Sequence, residues 1–219
     1  MALADYIGRF WAGAEVIYGV IIAMTFTSAL RDLPWAFLER MLVERTVYTA
    51  LFCCMAWGVA DGLFYLWERN YLIRQENRII ELSKSAQTEP AVSLVEAQLE
   101  DTVLRNVPGV QRHELYQRLV EFLSRAGARE KLSLREGFTI VGGTFFRSAL
   151  AGVVVIIPFF ATPDVDLALK VSNLLGILLL FGVGYLRALD RDFSHRIVMA
   201  VGTSMIGIVI SAITVVLGG

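Results

Sequence analysis

The stretch from Gly137 to Phe160, GFTIVGGTFFRSALAGVVVIIPFF, is about as long as a bilayer's hydrocarbon core is thick, and it carries one charged residue, Arg147, near its middle. A guanidinium at that depth is costly in lipid, so Arg147 is expected to face other helices, a water-filled cavity or a carboxylate. Two roles fit such a residue: a functional charge, or a structural lock between helices.

The run is not isolated. With 56% hydrophobic residues, a mean hydropathy of +0.58 and several apolar runs of similar length, the chain reads as an all-α integral membrane protein with five spans. The first runs from about Phe10 to Leu30, the second from Thr46 to Trp67, and the third is the Arg147 stretch. The fourth is Leu167 to Leu186, where Lys170 can snorkel to the headgroups, and the fifth is Ile197 to Leu217. Between the first two, Pro34, Trp35, Leu38, Met41 and Leu42 oppose Glu39, Arg40 and Glu44, which predicts a short amphipathic helix at the membrane surface over Arg31 to Arg45. In the second span, Gly58 and Gly62 supply the small-xxx-small spacing that lets two helices approach closely.

From Glu68 to Glu136 charges become frequent, yet Leu72, Ile79, Ile80, Leu94, Leu99, Leu104, Leu115, Leu119, Phe122 and Leu123 keep a helical apolar stripe. Pro90 and Pro108-Gly109 divide it into three helices, the first continuing out of the second span. The expected organisation is therefore membrane helices over residues 1–67, a helical insert over 68–136, and membrane helices over 137–219. Most Lys and Arg residues lie in the insert, the turn between spans four and five adds three, and the turn between spans three and four has none. The positive-inside rule then places the N-terminus and insert in the cytoplasm and the C-terminus outside it, with the cell membrane as the expected location.

Other classes find little support. The basic residues alternate with acids and lack an aromatic platform, so nucleic acid is not an expected partner. No phosphate loop, metalloprotease helix or nucleophile with a plausible base occurs, which argues against an enzyme. The adjacent Cys53 and Cys54 exclude a disulfide framework and read as packing residues. The N-terminus, with Asp5 and Arg9, does not read as a cleavable signal peptide. At an offset of about 120, Phe26, Ser28, Ala29, Leu30, Gly62, Tyr65 and Leu66 recur as Phe146, Ser148, Ala149, Leu150, Gly182, Tyr185 and Leu186, a faint parallel repeat of a kind some transporters use.

Candidate chemistry lies in three ionisable residues within the spans, Glu15, Asp61 and Arg147. Helix directions make the three potential neighbours in the cytoplasmic half and predict Asp61 and Arg147 to be a buried pair, with Glu15 roughly one and a half turns inside the start of its span. Such carboxylates can couple to protons or cations, or simply neutralise a structural arginine. Met24 and Met55 offer thioethers to a soft or borderline metal, or fill the core. In the insert, Glu76, Glu81, Glu96 and Glu100 are the candidate ligands for a divalent cation, or solvated helix faces.

Glu15-Val-Ile-Tyr-Gly-Val, ending in Ser28-Ala29-Leu30, resembles the first span of the vacuolar iron transporter family, and Ala151-Gly152-Val-Val-Val-Ile-Ile-Pro158-Phe159-Phe160 resembles its third. The order of two spans, a charged three-helix insert and three more spans is similar over nearly the whole chain. The resemblance implies a homodimer exporting ferrous or manganous ions from the cytoplasm in exchange for protons, with no resident cofactor and with insert glutamates collecting the metal. Ile22, Ala23 and Met24 stand where that family's first span carries Asp-Gly-Leu, and Val155 stands where its third span has a second proline. These departures favour the alternative, a non-transporting membrane scaffold or regulator whose insert binds a partner.

Overall fold

The computed structural model describes residues 3–32, 40–85 and 88–218, and among these every regular element is helical. The helices are α1 (Leu3–Ser28), α2 (Arg40–Lys84), α3 (Thr88–Leu99), α4 (Gly109–Leu123), α5 (Leu134–Ile156), α6 (Pro158–Ala161), α7 (Val165–Arg187) and α8 (Phe193–Gly218). Single 3-10 turns cover Ala29–Asp32 and Val103–Asn106. Four helical stretches are long and apolar enough to cross a membrane: Phe10–Ser28, Arg40–Lys84, Leu134–Ile156 and Val165–Arg187. Phe193–Val209 adds a shorter apolar one.

Contacts divide the chain into two compact units, one made of Met1–Leu66 and Leu134–Gly219, the other of Trp67–Ser133. In the first unit, Val20, Ala23, Met24, Val47, Ala50 and Cys54 meet Ala151, Val155, Leu169 and Leu180 in one apolar core. Small residues make that packing possible. A Cβ added at Gly58 would stand 2.8 Å from the Phe145 Cα, and one at Gly62 would stand 2.7 Å from the Val141 Cα and collide with the Thr144 hydroxyl. The GxxxG face of α2 therefore lies directly on the α5 backbone. Ser148 Oγ donates to the Cys54 carbonyl at 2.8 Å, and Cys54 Sγ donates to the Gly19 carbonyl at 3.3 Å, tying α5, α2 and α1 together.

Several helix ends follow from local chemistry. Within α1, Gly8 takes φ 81° and ψ 156°, outside the helical region, so the chain bends there at a residue without a Cβ. The expected single run from Gly137 to Phe160 is broken: α5 ends at Ile156 and Pro158 opens the short α6. Pro158 has no N–H with which to continue the ladder. Asp164 caps α7, its side chain accepting from the N–H groups of Asp166 at 3.0 Å and Leu167 at 3.2 Å. The α7–α8 turn is closed by Arg196, which donates to the carbonyls of Arg191 and Leu189 at 2.8 Å each. There His195 Nδ1 lies 2.5 Å from Asp192 Oδ1 and holds the Asp192 carboxyl below the usual carboxylate range. Of the expected surface helix over Arg31 to Arg45, residues 33–39, including Pro34, Trp35 and Leu38, lie outside the described residues, and Arg40 onward belongs to α2.

The second unit is built on α3 and α4, with Ile79 of α2, Ala91, Val92, Val95, Tyr116 and Val120 at its centre. Pro90 does not precede α3 but sits in its first turn, where the missing N–H costs nothing. Pro108 directly precedes α4. The segment after α4 is clamped to α2: Asn77 Nδ2 donates to the Arg129 carbonyl at 2.8 Å and Asn77 Oδ1 accepts from the Arg129 N–H at 2.7 Å.

Candidate functional site

The polar centre of the first unit lies on the seam where α1 and α2 run antiparallel. Tyr18 of α1 meets Trp57 of α2 with ring centroids 6.0 Å apart. One turn along, the Glu15 carboxyl accepts a hydrogen bond from the Tyr65 hydroxyl at 3.0 Å, and Asp61 stands between Trp57 and Tyr65 on that same face of α2. Another turn on, Trp11 meets Tyr65 at 6.1 Å. An acid pair is thus bracketed along the seam by two aromatic pairs.

Helical spacing places these groups. Trp11, Glu15 and Tyr18 stand at i, i+4 and i+7 on α1, and Trp57, Asp61 and Tyr65 at i, i+4 and i+8 on α2. Gly58 and Gly62, on the adjoining face of α2, press that helix onto α5. Glu15 is 0% exposed, and its second oxygen, Oε2, receives no hydrogen bond from any N–H or hydroxyl. Two ionised carboxylates are acceptors only, so a bond between them requires a proton, or a cation in the proton's place.

Arg147 does not pair with Asp61 as expected. Its Nη1 donates to the Ala12 carbonyl of α1 at 2.6 Å. Among the described residues no ion pair joins the two side chains. The reason is geometric: Asp61 turns along the α1 seam toward Glu15, while the long Arg147 side chain crosses from α5 to the α1 backbone. The Ala12 carbonyl that anchors it lies three residues before Glu15 on α1. Glu15 is fully enclosed by protein. A second guanidinium, that of Arg187 at the end of α7, rests 3.8 Å over the Phe10 ring and packs its stem against Gly13.

The other sequence candidates lie apart from the acid pair. Met24 is buried in the apolar core with its sulfur against Gly176, and Met55 is half-buried on α2. In the second unit Glu76 pairs with Arg129 at 3.3 Å and Glu96 with Arg112 at 3.9 Å, while Glu81 and Glu100 are exposed. The structure does not bring these four glutamates together: among the described residues, no three His, Cys, Asp or Glu side chains gather as a metal site would require. A cleft of about 440 Å³ lies elsewhere in the first unit, lined by Arg40, Val43, Glu44, Phe159, Phe160 and Pro163 among others. Its polar side chains are largely spent on each other, Arg40 Nε bonding Glu44 at 2.8 Å.

Sequence reasoning missed Tyr65, Trp57, Tyr18 and Trp11. The usable signal was one-turn spacing: an aromatic residue lies one turn to either side of each carboxylate. Neither a protein-family model nor a curated protein matches this chain.

Proposed function

We propose that the chain is a multi-pass membrane transporter that moves a cation across the bilayer in exchange for protons carried by Glu15 and Asp61. The observation that carries this reading is the enclosed Glu15 carboxyl, held by Tyr65 and facing Asp61 inside helices long enough to span a bilayer. An intramembrane carboxyl pair that holds one proton releases it when a cation arrives, which is the elementary step of exchange. Arg147 supplies a fixed positive charge beside the pair and fixes α1 through Ala12. In this reading α8 is a fifth span, the N-terminus and the unit Trp67–Ser133 are cytoplasmic, the C-terminus lies outside, and two copies associate in the cell membrane.

The resemblance to vacuolar iron transporters makes ferrous or manganous ion the first cargo to test. Purified protein in liposomes loaded with a pH-sensitive dye should move protons when manganous ion is added outside. Glu15→Gln and Asp61→Asn should each abolish the signal. A wild-type trace identical to empty liposomes would refute transport of that ion.

Two observations favour a second reading. Ile22 stands where the resembled family has an aspartate, and no three metal-ligand side chains gather among the described residues. A non-transporting scaffold, with Arg147 purely structural, accounts for both. It predicts that Glu15→Gln alters stability alone.

A further inference from the structure

We infer that the α1–α2 seam receives an organic monocation, an ammonium or phosphonium with an apolar shell, between the Tyr18–Trp57 and Trp11–Tyr65 pairs and against the Glu15–Asp61 carboxyls. This inference rests on the cation-transport reading and names its cargo class.

Three observations converge. The negative charge is concentrated in one acid pair whose buried Glu15 Oε2 lacks any donor, so the seam presents a place for positive charge. The neighbours of that pair along both helices are aromatic rings, Tyr18 and Trp57 packed edge-on at 6.0 Å and Trp11 and Tyr65 tilted at 6.1 Å. A hard divalent ion wants several oxygen ligands, whereas a large, weakly hydrated cation gains from ring faces and needs few. Finally, Trp11 is 46% and Trp57 45% exposed, on the surface that spanning helices turn toward lipid, while Glu15 behind them is enclosed. Arg187 over Phe10 at 3.8 Å shows that this end of α1 already seats a cation on an aromatic face.

Protons and cargo then compete for the same pair. The titratable and charged groups around it are Tyr65 on α2, Tyr18 on α1 and Arg147 on α5, with Arg187 of α7 further along α1 at Phe10 and Gly13. Neither arginine gives up its proton in a protein, so the competition falls on the carboxyls.

The test is isothermal titration of the purified full-length protein in detergent with tetraphenylphosphonium, with neutral triphenylphosphine oxide as the uncharged control. The cation should bind and the neutral compound should not, and binding should weaken as the pH is lowered. Asp61→Asn and Trp57→Leu should each weaken it by about tenfold or more, and Trp57→Phe by less than about threefold. The wild-type pH dependence needs no variant to fold. Equal heats for the charged and neutral compounds, or an unchanged affinity in both Asp61→Asn and Trp57→Leu, would overturn the assignment. Manganous ion binding that is lost in Asp61→Asn, with no binding of the phosphonium, would also overturn it while leaving cation transport intact. Phosphonium binding with the expected variant losses, but without cation-driven proton flux in liposomes, would leave the seam assigned and refute the transport reading.

Discussion

Tyr65 and Arg147 show how single side chains decide the character of this site. Tyr65 gives Glu15 Oε1 its hydrogen bond, so Tyr65→Phe leaves a buried carboxyl with less support than the fold allots it. We expect a loss of about 1–3 kcal/mol in reversible detergent unfolding, since the remaining partner is stranded. Arg147→Gln removes the donor to the Ala12 carbonyl and should cost a similar amount by the same measurement. Because Arg147 and Asp61 form no direct ion pair, their double-mutant cycle should show a smaller coupling than the cycle of Glu15 and Tyr65, which share a hydrogen bond. A large coupling between Arg147 and Asp61 would restore the ion pair that charge and helix direction alone suggest. That pair was a reasonable reading of the sequence, because depth in a helix is legible there. The direction in which a side chain turns around its helix is set by neighbours that a hydropathy profile does not contain.

Among the elements, α2 is the one whose sequence is most nearly self-explanatory. Gly58 and Gly62 announce a close approach, and the α5 backbone fills that place. Gly62→Val should therefore force α2 and α5 apart and destabilise by about 1–3 kcal/mol, while Gly182→Val, where an added Cβ meets nothing within 4 Å, should be close to neutral. Equal thermal shifts for the two variants would contradict the packing. The all-helical class and the apolar helices were legible because hydropathy over twenty residues is a strong signal. Breaks were less so: Pro158 was visible but read as the tail of a span, although a missing N–H ends α5 before it. The continuation of α2 to Lys84 follows from the absence of any Gly or Pro between Gly62 and its end. The aromatic brackets escaped notice because each ring is unremarkable on its own helix. They become a set only when α1 and α2 are laid antiparallel.

At the scale of the molecule, the proposed five-span arrangement puts the two termini on opposite sides of the bilayer. Reporters inserted at the Glu100-Asp101 turn should be cytoplasmic and those at the C-terminus should not be. Both signals on one side would contradict the arrangement. The Arg147 bond to Ala12 carries a consequence for energetics across the whole protein. An arginine tied to a carbonyl keeps its positive charge whatever the acid pair does. With one shared proton, Glu15, Asp61 and Arg147 sum to zero; with the proton replaced by a monovalent cation they again sum to zero. A divalent ion in that place leaves one positive charge instead. Exchange of a monovalent cargo for a proton is then electrically silent, and clamping the liposomes with valinomycin at different potassium gradients should leave its initial rate unchanged. A divalent cargo exchanged for a single proton would instead feel the membrane voltage, at about 2.3 kcal/mol per elementary charge for each 100 mV.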